Sequence, residues 1–384
     1  MKNTFLLSIG NFFAAAHYFL VIYISAPYLA TVMASQKVGL VVSSGAILGI
    51  AGYLFMPHLV RKFGPRILGI GFSLLTISLL LILAMAPIAP IAIVAIGLLS
   101  VSSLFIGYQL DLLLEAASDN ALTTGQTRAL FITAANIALI GTPLLIGYLL
   151  GATEDYYRVF FAAALTLLPF VLLLYWKKFP ENDHVTLHTL SHTAHCLVHD
   201  KDIRTVLYAG FLLNFFFYLA PLYIPLYLNT VLGIPWSELG WIFAVMLMPF
   251  VLLEYPAGWM ADNKWGDKEL MAFGFTLIGF FFAAVGFITP TTSILTILII
   301  LVGTRIGGAV TEAMVEGHFF RRIAASDTSS IAVFRLMRPF AMLAAPLFAT
   351  FLLLITSYNV FFLLSGILIL IAGVWIAFNI TDAR

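Results

Sequence analysis

Charged side chains are scarce in this sequence. Of its 384 residues, 10% are Asp, Glu, Lys or Arg and 62% are hydrophobic, and the mean hydropathy is +1.04. A soluble globular domain carries roughly 25% charged residues. A chain this large with so little charge cannot cover a water-facing surface, so the composition indicates a protein whose solvent is lipid.

Cysteine is nearly absent as well. The single cysteine, Cys196, excludes an internal disulfide framework, and a net charge of +1 gives no sign of a nucleic-acid partner. The sequence also lacks the Gly-x-x-x-x-Gly-Lys-Ser/Thr loop that cradles nucleotide phosphates. This argues against ATP as a direct energy source, and we expect no cofactor beyond a coupling ion, H⁺ or Na⁺.

Long apolar runs are abundant. They are continuous and about twenty residues long, which is typical of membrane-spanning helices and not of alternating barrel strands. The first run is too long for a signal-peptide core and lacks a clear cleavage site, so it counts as a span. The predicted spans lie near residues 4–30, 39–60, 67–86, 90–115, 128–151, 157–176, 205–230, 236–260, 269–288, 292–317, 329–354 and 358–380.

Lysine and arginine are divided unequally between the two sides of the predicted membrane. If both termini are cytoplasmic, the cytoplasmic segments hold 14 of these 19 residues and the outer loops hold only Lys37 and Arg158. Membrane proteins retain positive residues on the cytoplasmic side. The sequence therefore predicts cytoplasmic termini. Loops rich in Lys and Arg alternate with loops poor in them, which supports an even number of spans.

The second half of the chain repeats features of the first at an offset of 201 to 203 residues. The matching positions are Asn11 with Asn214, Arg61 with Asp262, Asp111 with Glu312, and Pro143 with Pro346. Many transporters place their solute site between repeats of this kind. We predict an all-α membrane protein of twelve transmembrane helices in two pseudo-symmetric six-helix bundles, residues 1–176 and 205–384, joined by a central cytoplasmic loop at 177–204.

The loops after spans 2 and 8 carry a recognisable motif. The second copy, Gly258 to Lys268 with Asp262 at its centre, resembles the loop motif Gly-x-Leu-x-Asp-Arg-x-Gly-Arg-Arg/Lys of the major facilitator superfamily. The first copy keeps Gly64 and Arg66 and departs from the motif elsewhere. With its six-plus-six spans, the whole chain is similar to this superfamily. The resemblance implies secondary transport by alternating access, with spans 1, 4, 7 and 10 lining a central cavity.

Several charged residues lie inside the predicted spans near their cytoplasmic ends. An ionisable group in a span costs at least a few kcal/mol unless it is paired or hydrated, so each is a functional candidate. The inner ends of spans 4, 5, 10 and 11 meet in the superfamily, which implies a cytoplasmic gate of paired charges. The alternative is a static ion-pair cluster within the second bundle. The gate candidates are Asp111, Glu115, Glu254, Asp262, Glu312, Glu316, Arg335 and Arg338.

Arg305 lies near the middle of span 10. A guanidinium presents a fork of donors that suits a carboxylate or a phosphate, which makes Arg305 a candidate for substrate binding or coupling. The alternative is a packing arginine that is tied to backbone carbonyls beside the close helix contact allowed by Gly303 and Gly307.

Spans 1 and 7 carry amide, imidazole and phenol groups, and the resemblance places both spans along the cavity. Aromatic and amide groups bind organic solutes by stacking and hydrogen bonding. His17 titrates near neutrality and could carry a coupling proton, although a histidine hydrogen-bonded in place is the alternative. The substrate or coupling candidates on these spans are Asn11, His17, Tyr18, Asn214 and Tyr218.

The central loop concentrates histidine. Its spacing predicts an amphipathic helix at the inner membrane surface, with the histidines within an arc of about 80° on one side. Such a stripe could hold Zn²⁺ or sense pH, and the alternative is a solvated polar face. The candidate ligands are His184, His188, His192, His195 and His199.

The sequence as a whole favours a secondary transporter and not an enzyme. It would move a small organic solute across the plasma or inner membrane by alternating access, coupled to protons or another ion, with the bilayer and the solute as partners and one chain as the working unit. One alternative is a transporter-like receptor or scaffold that does not transport. The other, a polytopic membrane enzyme, is disfavoured because the loops outside 177–204 are short and poor in catalytic groups.

Overall fold

The computed structural model of the protein describes residues 2–117, 124–180, 199–263, 265–322 and 328–380, and this part of the chain contains helices and no strand. The helices are α1 (Lys2–Val32), α2 (Val38–Ala84), α3 (Ala89–Ala117), α4 (Thr124–Leu150), α5 (Tyr157–Trp176), α6 (Lys201–Pro225), α7 (Trp236–Asn263), α8 (Asp267–Val285), α9 (Ile294–Arg322), α10 (Thr328–Arg335), α11 (Met337–Ile355) and α12 (Tyr358–Phe378). A π-helical turn, Leu226–Val231, continues α6, and a short 3₁₀ helix, Ser35–Lys37, precedes α2.

The helices are long and apolar enough to cross a bilayer. Eleven segments of the described chain meet this criterion by length and composition. Helix is the expected conformation for such runs, because a backbone in lipid must satisfy its N–H and C=O groups within the segment. The predicted class, a multi-pass all-α membrane protein with two bundles, is confirmed by this architecture.

Among the described residues, the eleven segments include His58–Ala84 of α2 but none that corresponds to the predicted span at 39–60. Helix α2 has 47 residues, and at 1.5 Å per residue it would extend about 70 Å if straight, more than twice the thickness of a hydrocarbon core. Its path changes at Gly64, where φ is 76° and ψ is 154°. Only glycine adopts such values without strain. Gly64 therefore divides α2 into two crossings, as the predicted second and third spans require.

Arg66 stabilises the start of the second crossing in α2. Its Nε donates to the carbonyl oxygen of Leu174 at 2.6 Å, and its Nη2 donates to that of Tyr175 at 2.8 Å. These carbonyls belong to the last turn of α5, where helices leave C=O groups without intrahelical partners and favour a nearby cation. Arg66 thus caps α5, a structural role for a basic residue of the first motif copy.

The first compact unit comprises residues 1–186 together with 228–244. It therefore includes the beginning of α7, which the sequence predicts to be part of the second bundle, residues 205–384. This part of α7 packs closely on α4: a Cβ built on Gly240 would lie 2.7 Å from the carbonyl oxygen of Pro143 and 2.8 Å from the Cα of Gly147. Tyr23 of α1 also stacks on Phe243 with ring centroids 5.8 Å apart.

The second compact unit comprises residues 187–227 and 245–384. Helix α6 begins at an N-cap, Asp200, whose carboxylate accepts from the backbone N–H groups of Asp202 and Ile203. The hydroxyl of Tyr223 donates to the carbonyl oxygen of Pro346, which joins α6 to α11. The candidate residues predicted from the sequence in α6, α9, α10 and α11 all belong to this unit.

Candidate functional site

Helix α9 uses one side for packing on α8. A Cβ built on Gly303 would lie 2.4 Å from the ring of Phe281, and one built on Gly307 would lie 2.6 Å from the carbonyl oxygen of Gly274. Gly274 in turn faces Thr311, one turn beyond Gly307. Small residues at these positions let the two helices approach closely. This contact fixes which side of α9 faces the rest of the second unit.

Arg305 lies on the opposite side of α9 from the glycine contact. It is two residues from both Gly303 and Gly307, which is about 200° around a helix. Its side chain is 3% exposed, and its guanidinium lies 5.3 Å from the ring centroid of the buried Phe216 in α6. The glycine contact with α8 therefore does not account for the burial of Arg305, which is enclosed where α9 meets α6.

Replacing Arg305 with methionine is expected to change the stability of the folded protein little. Desolvating a buried charge often costs as much as its interactions return, so an apolar side chain of similar length should shift the free energy of unfolding by no more than about 1 kcal/mol. Thermal unfolding in detergent measures this shift. A loss of several kcal/mol would instead identify Arg305 as a structural arginine.

Glu316 of α9 forms ion pairs with two arginines. Arg335 of α10 donates to it from both terminal nitrogens, Nη1 to Oε1 at 2.6 Å and Nη2 to Oε2 at 3.4 Å. Arg338 at the start of α11 approaches Oε1 only to 3.9 Å. Glu312 lies one turn earlier on the same side of α9 and is partly buried. These pairs lie within the second unit, as the alternative of a static ion-pair cluster predicts. A gating role for Arg335 and Arg338 stays a prediction.

A second charged cluster ties α9 to α8. Nδ1 of the fully buried His318 lies 2.8 Å from Oδ2 of Asp267, and Arg321 donates to Oδ1 of the same carboxylate. Arg322, the last residue of α9, pairs with Asp202 of α6 at 2.7 Å. Sequence analysis missed this cluster. The available signal was Asp267 itself, which follows Gly266 where the superfamily motif has a basic residue.

The polar candidates on α6 lie on one side of that helix. Asn214 and Tyr218 are four residues apart and partly buried, and the amide nitrogen of Asn214 donates to the carbonyl oxygen of Gly210 at 2.7 Å. Asn214 and Tyr218 belong to the second unit, as does the pair of Glu316 with Arg335.

The first unit holds the candidates of α1. The amide nitrogen of Asn11 donates to the carbonyl oxygen of Phe131 in α4 at 2.8 Å. His17 is 2% exposed, and its Nε2 lies 3.4 Å from the hydroxyl of Ser103 in α3. Tyr18 is partly buried and packs edge-on against the ring of Phe19. Asn11 and His17 thus bind groups of different helices, α4 and α3.

The remaining predicted site residues belong to α3, to α7 and to the central loop. Asp111 lies exposed on α3. The side chains of three gate candidates lie outside the described residues: Glu115, Glu254 and Asp262. Four candidate zinc ligands, His184, His188, His192 and His195, also lie outside them, and His199 is exposed just before α6. Within the described ranges, His, Cys, Asp and Glu form no group of three or more that could hold a metal ion.

Comparison with known proteins identifies similar chains. A family model described as Major Facilitator Superfamily matches residues 7–316 and, in a second match, 206–383. The crystal structure of a mutant of the nucleoside transporter NupG is 13% identical, with a TM-score of 0.75, and the match covers 97% of this chain and 98% of that one. The in meso crystal structure of the POT family transporter PepTSo is 13% identical, with a TM-score of 0.76 and coverage of 98% and 97%. Identities this low show a shared fold alone, and no match was found among curated proteins.

Proposed function

Because the chain belongs to the major facilitator superfamily and is a multi-pass membrane transporter, we propose that it moves a small organic solute by alternating access with coupling to protons. The observation that carries this proposal is that two ionisable side chains, His17 in the first unit and Arg305 in the second, are buried within membrane-spanning helices. Such groups are expensive in a membrane and are retained chiefly where solutes or ions pass.

His17 is the proposed carrier of the coupling proton. Its imidazole is enclosed among α1 and α3 residues with Ser103 as a hydrogen-bond partner for one ring nitrogen. A histidine is the side chain whose charge changes most readily between pH 5 and 8.

The proposed orientation places both termini in the cytoplasm of a cell whose plasma or inner membrane holds the protein. It follows from the distribution of Lys and Arg, of which only Lys37 and Arg158 fall in the outer loops. One chain is the proposed working unit, because the internal repeat supplies both bundles that alternating access needs.

Solute counterflow in proteoliposomes tests the proposal. Purified protein is reconstituted, loaded with one unlabelled compound at a time from a panel of carboxylates, nucleosides and short peptides, and supplied with trace label outside. We expect transient accumulation of one class and none in empty liposomes. If a compound binds the purified protein tightly yet never accumulates, the protein is a receptor and not a transporter.

Replacing His17 with glutamine is expected to abolish the response to an imposed pH gradient while leaving counterflow intact. Glutamine preserves a hydrogen-bonding side chain but cannot carry a proton near neutral pH. His58→Gln is the matched control, because His58 is an exposed histidine of the same unit. If uptake driven by the pH gradient survives in His17→Gln, another group carries the proton.

A further inference from the structure

Exposed cations lie at the bend of α2. Arg61 and Lys62 come directly before the bend at Gly64, and the side chains of both are exposed. The sequence contains no Asp or Glu in residues 1–110, and its first acidic residue is Asp111. Positive charge therefore collects at this end of the first unit, after a long stretch of chain that offers no carboxylate to balance it.

The last turn of α5 lies beside the start of the second crossing of α2. Arg66 donates to two carbonyl oxygens of this turn, and a Cβ built on Gly69 would lie 3.0 Å from the side chain of Leu174. The exposed Lys178 follows Leu174 by four residues, and Lys62 precedes Arg66 by four. Since a chain extends at most about 3.6 Å per residue, each lysine lies within about 14 Å of this contact, measured between Cα atoms.

Arg61, Lys62 and Lys178 form a basic patch on the first unit. None of the three takes part in an ion pair within the part of the chain that the structure describes. The arginines at the end of α9 differ in this respect, because carboxylates of α6 and α8 pair with them. Arg61 also stands at the position that corresponds to Asp262 in the second copy of the loop motif. The first unit thus has reversed charge at this position, and its cations are accessible to an external anion.

Aromatic side chains indicate the depth of the basic patch in the membrane. Tyr175 and Trp176 end α5 and are exposed, and the exposed Phe63 has its ring centroid 5.2 Å from Nζ of Lys62. Trp and Tyr are enriched at the level of the lipid headgroups, where one end of the side chain is in an apolar and the other in a wet environment. The basic patch therefore lies at the depth of the phosphate groups of one leaflet.

Exposed apolar side chains continue from this depth along both helices. Ile67, Leu74 and Leu75 share one side of α2, and Leu168 and Leu172 share one side of α5, because their spacings bring helical residues to a common side. In a membrane-spanning unit such surfaces contact lipid. The acyl chains of a lipid whose headgroup lies at the basic patch can therefore pack against apolar side chains of the same unit.

We infer that the basic patch binds the headgroup of an anionic phospholipid, whose acyl chains lie on the exposed apolar residues of α2 and α5. Clusters of Lys and Arg next to a membrane span attract acidic lipids, because these lipids give the membrane surface a negative potential. Phosphatidylglycerol keeps a net negative charge, whereas phosphatidylcholine has none and gains less from three cations. Lipid binding at the patch requires neither the solute nor a coupling ion, so it is independent of the proposed transport.

Arg66 is not part of the basic patch. Its Nε and Nη2 donate to carbonyl oxygens at the end of α5, so its replacement would disturb the packing of α5 on α2. The side chains of the three patch residues make no hydrogen bond to other described residues. Their charges can therefore be removed without breaking a hydrogen bond of the described fold, which makes them suitable for substitution.

Lipid binding to the purified full-length protein tests the inference. Delipidated protein in detergent is titrated with phosphatidylglycerol or with phosphatidylcholine of the same acyl chains. Binding is measured by native mass spectrometry and by the unfolding temperature. We expect phosphatidylglycerol to bind at least about tenfold more tightly than phosphatidylcholine. The triple variant Arg61→Gln, Lys62→Gln, Lys178→Gln should lose this preference.

Matched variants separate the basic patch from other cations of the protein. The double variant Lys37→Gln, Arg158→Gln removes exposed cations at the opposite ends of α2 and α5, and it should keep the preference for phosphatidylglycerol. Unfolding temperatures without lipid show whether each variant is folded. Lys178→Gln alone alters no helix, since α5 ends at Trp176, and it should lower the preference by a smaller factor. This single variant takes the place of the triple variant if the latter does not fold.

A soluble anion separates a lipid site from a general phosphate site. Glycerol 3-phosphate carries an anionic group without acyl chains, so it should neither raise the unfolding temperature nor compete with phosphatidylglycerol at equal concentration. If it stabilises the protein as much as the lipid does, the patch binds a soluble phosphate and lipid docking is excluded.

The remaining outcomes decide the question directly. Equal affinity of the wild type for the two lipids overturns lipid docking at the patch, and so does a preference that survives in the folded triple variant. A preference lost equally in the double variant also overturns it, because net charge and not the patch would then determine the affinity. A preference that requires the patch residues and that glycerol 3-phosphate cannot replace supports lipid docking, whatever the counterflow assay shows.

Discussion

Replacing Asp267 with alanine is expected to destabilise the second unit more than any other single substitution considered for this protein. The carboxylate is buried and accepts from His318, which is fully buried, and from Arg321. Its removal leaves the imidazole and the guanidinium without the group that compensates their desolvation. Breaking a buried pair in this way costs about 3–5 kcal/mol, and the partial exposure of Arg321 places the expectation near the lower end.

The measurement is the unfolding temperature of the full-length protein in detergent. A loss of 1 kcal/mol lowers this temperature by roughly 2–4 °C in a domain of this size, so a fall of roughly 6–12 °C is expected. Glu269→Ala is the matched control. Glu269 also lies in the first turn of α8, where an acidic residue favours the helix dipole, but it is exposed. If the two variants unfold at the same temperature, Asp267 does not hold α8 to α9.

Replacing Gly147 with alanine is expected to disrupt the contact of α4 with α7 in the first unit. A Cβ at this position would lie 2.8 Å from the carbonyl oxygen of Trp236 and 3.1 Å from the Cα of Gly240. Both neighbours are backbone atoms, so no side chain can rotate away and the helices must separate. Overpacking of this kind typically costs about 1–3 kcal/mol.

Gly141→Ala provides the control on the same helix. A Cβ at Gly141 meets nothing within 4 Å, so the substitution removes only the conformational freedom of glycine and should stabilise the helix by roughly 0.5–1 kcal/mol. If the unfolding temperature falls in Gly147→Ala and rises in Gly141→Ala, the close approach of α4 to α7, and not the loss of a glycine, determines the change in stability. A Gly147→Ala variant as stable as Gly141→Ala would mean that α7 does not pack on α4 as described.

Much of the architecture was predictable because lipid leaves a chain few options. Continuous apolar runs in a charge-poor sequence can form only spanning helices, and Gly64 marks the point at which one long run divides into two crossings. The side of α9 on which Arg305 lies was also predictable, since its spacing from Gly303 and Gly307 places it opposite them on any helix.

The pairing of individual charges was not predictable in the same way. His318 and Asp267 are 51 residues apart, and nothing in the sequence specifies which carboxylate a histidine near the end of α9 will meet. The two arginines of the gate hypothesis look equivalent by spacing, yet one binds Glu316 by two hydrogen bonds and the other does not. Such differences of about 1 Å depend on how α9, α10 and α11 pack.

The sequence by itself determined that this protein is a helical membrane protein of two related bundles, because hydrophobic length and charge scarcity are properties of the chain that no packing can alter. The tertiary structure decided which ionisable groups are enclosed or paired: Arg305 against Phe216, Asp267 with His318, and Arg335 with Glu316. The physical reason is that the cost of a charge in a membrane depends on its neighbours within a few ångströms, and helices distant in sequence supply those neighbours.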